Sequence, residues 1–538
     1  MSTTSNASLI TRARATHGVK ERDVSKVLCH RLRAGVEEYL IKWRIRTTSE
    51  HAMASWHAVD QLTDCLKQIQ LYIEESNEKN LALKSSLLIS NDHHASRKRK
   101  SPGGDPVTIQ SRDAANGLLT PHDPRQLSRA SSVGSISSSG SKKQIVNSPS
   151  VYNGFLVRKA GRIKGQQSSD PIYPQINADT LPTPEMVNAA KNCPMTEAER
   201  LIRELFYLTL NAVPNVHLEN KVDGSTPSLN FTFTNKLVYQ NGIYQAPVDT
   251  YEGCGPKCKP NMGQNCGCEY TKVCQCLEFA AVDEQQLKKM PEWDDYVKFK
   301  EEGGSFDTSG APKRFPYLRG HSGRPSILQS HYLESREPIY ECNPNCNCGP
   351  MCKTRLVQKG RKVGLTIFKT RDRGWGLYCN EDLIEGEFID TYLGEVITNE
   401  EADLREAQSK DKSSYLYALD KFVGDEDVGG LITQDDCYVV DGQHMGGPTR
   451  FINHSCEPNC RQYSVCYNKH DLRLYHLAFF AYEDIPQGTE LTFDYADKDE
   501  EEEAEAIRRR QAAALDPENK DRLPCNCGAT KCRGFLWD

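Results

Sequence analysis

Three observations predict a mainly β, loop-rich protein that holds metal through thiolates. Short apolar runs punctuated by glycine, at Val363–Lys369, Phe388–Tyr392 and Tyr438–Asp441, read as brief strands. Ten of the 21 cysteines lie between 254 and 352, a density that thiolates tolerate only around cations. Two further segments, Arg450-Phe451-Ile452-Asn453-His454-Ser455-Cys456 and Glu490-Leu491-Thr492-Phe493-Asp494-Tyr495, set amide and polar residues beside bulky aromatics, with neither helical nor clean strand periodicity. Ordinary loops rarely do that.

The 538 residues are enough for two or more domains, and a hydrophobic content of 38% is low enough that part of the chain should be disordered. A net charge of -6 and a pI near 6.2 predict no global field for nucleic acid. The charge is uneven, however: residues 11–46 carry ten Lys/Arg against four Asp/Glu. No apolar signal core opens the chain and no run approaches 18 apolar residues, so a soluble intracellular protein with no membrane contact is expected. In a reducing compartment its cysteines favour metal thiolates over disulfides.

Residues 21–76 form the first expected unit. Val24–Leu32 and Glu38–Arg44 read as strands, and Leu62, Cys65, Leu66, Ile69, Tyr72 and Ile73 mark one apolar helical face. The string KVLCHRL…EEYLIKW…SWHAVDQL resembles a chromodomain, a small sheet-and-helix fold that reads methyl-lysine through an aromatic cage. Trp43 matches one cage position. The other two fall on Arg22 and Arg46, which would repel an ammonium. Either Trp43 and Trp56 are core aromatics or the unit reads a methylated histone, and its basic surface could instead meet RNA or DNA phosphates.

From 77 to 190 the composition predicts disorder: residues 91–150 hold thirteen serines and no Phe, Trp or Tyr. Within it, Arg97-Lys98-Arg99-Lys100 reads as a nuclear import address, a solvated charge run being the alternative. Order returns at Thr196, where Thr196-x-x-Glu199 predicts a capping box ahead of Leu201, Ile202, Leu205 and Phe206.

The clustered cysteines fall in two groups, Cys254, Cys258, Cys266, Cys268, Cys274 and Cys276, then Cys342, Cys346, Cys348 and Cys352. Cys-x-Cys spacing disfavours isolated tetrahedral sites, and shared sulfurs resolve the conflict. Three zinc ions need twelve bonds, which nine thiolates supply if three of them bridge. Such zinc is structural, since no coordination position stays open. Ten cysteines for nine places then leave one spare.

Arg373-Gly374-Trp375-Gly376, Tyr392, Tyr415, Arg450–Cys456 and Phe493–Tyr495 follow in that order. Together they resemble the SET-domain lysine methyltransferases, and the resemblance covers roughly 250–538. It implies a β-clip fold closed by a pseudoknot, in which the chain end threads beneath a loop. The order of units resembles the fungal heterochromatin enzymes that modify histone H3 lysine 9, with S-adenosyl-L-methionine as donor. By that resemblance, Tyr495 and Tyr392 are catalytic. Arg373, Gly374, Trp375, Gly376, Tyr415, Arg450, Asn453 and His454 hold the cofactor, and Phe493, Asp420 and Trp537 line the substrate channel. Phe493 lacks a hydroxyl that would crowd the amine, which implies di- and trimethylation.

Methyl transfer needs a neutral amine, and deprotonating a lysine near pH 7 costs on the order of 4–5 kcal/mol. An apolar channel beside a sulfonium lowers that cost, so alignment matters more than a strong base. Cys525-x-Cys527-x4-Cys532 leaves a fourth zinc one ligand short, and Cys456 is the natural fourth. The implied organisation is a disordered basic tail (1–20), a chromodomain-like unit (21–76), a linker (77–190), a flanking segment (191–250) and a pre-SET zinc cluster (251–360). The SET domain (361–496), a charged loop (497–521) that could act as a lid, and the post-SET (522–538) complete it. The expected setting is heterochromatin in the nucleus, with the histone H3 tail as partner. Rival readings are a methyltransferase for another lysine, a non-catalytic chromatin reader or scaffold, and a cysteine-rich nucleic-acid-binding protein.

Overall fold

The computed structural model describes residues 19–33, 35–44, 52–78, 155–159, 162–166, 195–259, 274–302, 306–320, 323–408, 415–424, 432–496, 508 and 523–536. They fall into two compact units, Met1–Cys193 and Pro194–Asp538. Arg46, Arg97–Lys100, Cys266, Cys268, Asp497–Glu505 and Trp537 lie outside the described residues. No described helix is long and apolar enough to cross a membrane.

In the first unit β1 (Val24–Arg33), β2 (Val36–Trp43) and β3 (Ala52–Ala58) form an antiparallel meander, and helix α1 (66–78) follows a 3-10 turn over Val59–Cys65. Val27, Leu28 and Cys29 of β1 and Tyr39, Leu40 and Ile41 of β2 are buried, as are Leu62 of the turn and Ile69 and Tyr72 of one helical face. The expected sheet-and-helix unit is present. Against the disorder expected over 77–190, β4 (Phe155–Lys159) and β5 (Arg162–Gln166) form a hairpin whose first strand pairs with β3. An edge strand presents unpaired backbone groups, and a distant segment of β-forming residues satisfies them.

The second unit is built from small sheets, most of their strands two to six residues long. Its opening helix, α2 (Glu197–Thr209), starts as expected: Thr196 Oγ1 accepts from Glu199 N–H at 3.1 Å while Glu199 accepts from Thr196 N–H at 2.7 Å. Ala198, Ile202 and Phe206 are its buried face. One sheet joins β6 (Val216–Glu219), β12 (Leu365–Lys369) and β13 (Trp375–Cys379). Another joins β11 (Ile339–Tyr340), β20 (Cys460–Cys466), β21 (His476–Ala481) and β14 (Phe388–Tyr392). A third runs β16 (Leu416–Ala418), β17 (Tyr438–Asp441), β15 (Glu395–Thr398) and β8 (Val238–Tyr239). Two-stranded pieces pair β7 (Thr232–Phe233) with β18 (Met445–Gly446), β9 (Tyr317–Leu318) with β10 (Ile327–Leu328), and β19 (Asn453–His454) with β22 (Thr492–Phe493). The fold is mainly β, as expected. Glu341 braces its centre: fully buried, its carboxylate accepts from the backbone N–H groups of Leu356 and Val357, the Gln358 amide and the Tyr317 hydroxyl.

Candidate active site and thiol clusters

The segments 450–456 and 490–495 meet in the parallel ladder of β19 and β22, where Asn453 faces Thr492 and His454 faces Phe493. Two residues per strand is too little to hold by itself. Asn459 adds the missing bonds, donating to Glu490 O at 2.8 Å and accepting from Thr492 N–H at 2.9 Å. Ser455 N–H also donates to Phe493 O.

Beside this ladder opens a cavity of about 540 Å³. Arg373, Tyr392, Tyr415, Asp420, Arg450, Asn453, His454, Phe493 and Tyr495 line it, so nine of the residues expected at the site are brought together. Tyr495 donates its hydroxyl to Ile452 O at 2.9 Å, and Tyr392 donates to Tyr415 O at 2.8 Å. Burial pushes both phenols above their ordinary range, keeping them neutral. With its proton given to a carbonyl, each hydroxyl oxygen can act only as an acceptor. Phe493 stands 4.8 Å from the Tyr495 ring and 4.9 Å from Phe479, a wall without polar atoms. Gly442 makes room for Tyr392: a Cβ there would meet the phenol oxygen at 2.5 Å. Tyr417, its ring 5.9 Å from Tyr392, also lines the cavity.

Several expected cofactor ligands are committed elsewhere. The Arg450 guanidinium lies 4.1 Å over Tyr415 and 4.5 Å over Phe231 and donates to Gly442 O, which fixes Tyr415 against the cavity. Trp375 was expected to cover a ligand. Instead its ring lies 5.2 Å from the Lys369 ammonium, outside the cavity lining, and its carbonyl accepts from Asn453 Nδ2 at 3.2 Å. Gly374 adopts φ +70, a turn requirement, and Gly376 exists for packing, since a Cβ would lie 2.8 Å from Glu490 and Phe368. The His454 ring was expected to hold the cofactor, but both its nitrogens face protein groups, Tyr495 N–H at 3.2 Å and Cys456 Sγ at 3.3 Å. Burial lowers its pKa, so the ring is neutral.

Glu490 had no assigned role, although it begins the second motif. Its carboxylate accepts from Asn453 Nδ2 at 2.8 Å and from Arg373 Nη2 at 2.5 Å, orienting both toward the cavity. Nothing in a lone glutamate signals this, because its partners lie 37 and 117 residues away.

Cys456, Cys525, Cys527 and Cys532 have their sulfurs within 4.8 Å of one another, and Cys525 and Cys527 form part of the cavity wall. The Cys456–Cys525 separation is 4.0 Å. A zinc ion with bonds of about 2.3 Å would span tetrahedral edges of about 3.8 Å. The donor set fits. Cys254, Cys258, Cys274, Cys276, Cys342, Cys346, Cys348 and Cys352 are packed together, all buried. Cys342 belongs both to a group with Cys276 and Cys346 and to one with Cys348 and Cys352, as a bridging sulfur must. Lys469, itself buried, puts its ammonium 2.9 Å from Cys276 Sγ.

The SET domain profile matches residues 374–496 and the Pre-SET motif profile residues 210–355. An H3 lysine-9 specific histone-lysine N-methyltransferase of Neurospora crassa is 36% identical over 326 residues, spanning 60% of this chain and 88% of that one. A counterpart of the same description in Fusarium mangiferae is 37% identical over the same shares. The Schizosaccharomyces pombe H3 lysine-9 specific enzyme is 33% identical over 343 residues, 62% of this chain and 58% of its own.

Proposed function

The chain belongs to the SET-domain histone-lysine N-methyltransferases, and on that premise we propose that it transfers methyl groups from S-adenosyl-L-methionine to lysine 9 of histone H3. The observation that carries this is the tyrosine-lined cavity formed where the two motifs meet. Bound donor supplies an electrophilic methyl; the protein supplies alignment. Tyr392 and Tyr495, each donating its proton to a backbone carbonyl, turn acceptor oxygens toward the lysine nitrogen and orient its lone pair. Neutral phenols hold no charge that would keep the amine protonated. Phe493 leaves the amine free to rotate between transfers, which favours di- and trimethylation. Asp420, on the cavity rim, suits a cation beside the target lysine. Arg373, Asn453 and Tyr415 face the space a methyl donor would fill.

Zinc completes the reading. Nine thiolates around three ions would use all eight described pre-SET cysteines plus Cys266 or Cys268, leaving the other spare. A fourth ion on Cys456, Cys525, Cys527 and Cys532 would tie the chain end over the cavity. For the first unit we favour chromatin docking through its basic surface over methyl-lysine reading. The Trp56 ring is covered by the Arg31 guanidinium at 3.9 Å, and Trp43 is bonded to Ser55 and edge-on to His57. Nuclear, heterochromatic residence follows from the substrate and from Arg97–Lys100.

Mass spectrometry of an H3 tail peptide incubated with enzyme and donor tests the assignment. The expected product is trimethyl-lysine 9 through mono- and dimethyl intermediates. Methylation confined to another lysine, or none at all, would overturn it.

A further inference from the structure

We propose that His454 is a positioning residue that mechanically couples the four-thiol metal site to Tyr495, one ring nitrogen serving each. The inference rests on the methyl-transfer reading for its catalytic half only. Tyr495 N–H donates to Nδ1 at 3.2 Å, so Nδ1 must be the bare nitrogen. The neutral ring then carries its proton on Nε2, which donates to Cys456 Sγ at 3.3 Å. The Asp494 carboxylate lies 3.5 Å from Nδ1 but accepts two bonds from Arg533, at 2.7 and 2.5 Å, so it asks for no proton from the imidazole.

The same sulfur accepts a second bond, from Arg533 N–H at 3.3 Å. Four thiolates on a divalent ion leave a net charge of about -2, and N–H donors that draw density from sulfur stabilise that anion. His454 is 3% exposed, so its ring is shielded from water. Loss of the metal would remove the fixed sulfur, free the ring to turn and release the Tyr495 amide whose residue holds the acceptor oxygen. Metal occupancy is thereby read at the reacting nitrogen through one side chain.

The test uses full-length, zinc-loaded protein and two substitutions that each keep one end of the strut. The amide of His454→Asn reaches the Nδ1 position and retains the Tyr495 bond; that of His454→Gln reaches the Nε2 position and retains the sulfur bond. Zinc release to a metallochromic chelator, which involves no methyl donor, is measured beside kcat and KM. His454→Asn should release zinc about tenfold faster than wild type. His454→Gln should hold zinc at the wild-type rate yet lose kcat about tenfold, with KM for the peptide unchanged. Equal effects of the two variants on both readouts would overturn the strut. If zinc release separates as expected while no histone is methylated, the sulfur half stands and the assigned reaction falls. Ring ¹⁵N spectra of the wild-type protein need no variant to fold: a protonated Nε2 that changes environment on zinc removal is expected, and a protonated Nδ1 would refute the coupling.

Discussion

Tyr495 donates its hydroxyl proton to Ile452 O, so its oxygen can only accept from whatever enters the cavity. Tyr495→Phe removes that acceptor without opening a void. We expect kcat to fall about 10²–10³-fold with little change in peptide KM, as for loss of a preorganised polar contact; steady-state kinetics check this, and an unchanged kcat would remove Tyr495 from the chemistry. Phe493→Tyr does the converse, adding a hydroxyl to an apolar wall where it can hold a water against the amine. The mass spectrum of the product should then stop at monomethyl-lysine; continued trimethylation would show that Phe493 does not set channel volume. The place of both residues in the cavity wall was legible because aromatic identity and motif order survive in a bare sequence. The work of Glu490 and of the His454 ring was not legible, since Glu490 meets Asn453, and His454 the Tyr495 amide, only where the β19–β22 ladder brings the two motifs together. A residue type states what it can bond, not what it finds.

The elements divide by the same rule. Helix α2 and the first two strands of the meander were readable, because capping, helical spacing and short apolar runs are local patterns, whereas β3 was not expected. The hairpin of β4 and β5 was not, because its pairing with β3 crosses about a hundred residues, and the two-residue strands around the cavity carry no period at all. The meander also holds a titratable weak point. His30 accepts burial between β1 and α1, with Nδ1 2.9 Å from the Tyr72 hydroxyl, and desolvation lowers its pKa from 6.5 to about 4. An unfolded chain takes up the proton near pH 6.5 whereas the folded one resists it, so stability present above 6.5 drains away as pH falls toward 4. The loss should be on the order of 2–3 kcal/mol. Amide exchange in β1 and β2 of the full-length chain, followed from pH 7 to 4.5, should accelerate accordingly and do so less in His30→Gln. Matching pH profiles for the two proteins would place the weakness elsewhere.

At the scale of the whole molecule, the second unit packs two clusters of thiols among its small sheets, and the two clusters differ in access. Cys456, Cys525 and Cys527 are half-buried, and only Cys532 of that set is enclosed. All eight described pre-SET thiols are buried, with Lys469 against Cys276 offsetting their negative charge. Ligand exchange needs an incoming chelator to reach the metal, so release should come in two kinetic classes, the post-SET ion first. Because Cys525 and Cys527 also wall the cavity and Cys456 adjoins His454, activity should vanish with the first class, while the fold persists until the second. Lys469→Met should speed the slow class alone, having no route to the post-SET sulfurs. A time course that records zinc in solution, methyl transfer and circular dichroism together decides the matter. Activity outlasting the first ion, or a Lys469→Met effect on the fast class, would mean that the clusters do not divide the labour of holding the core and shaping the cavity.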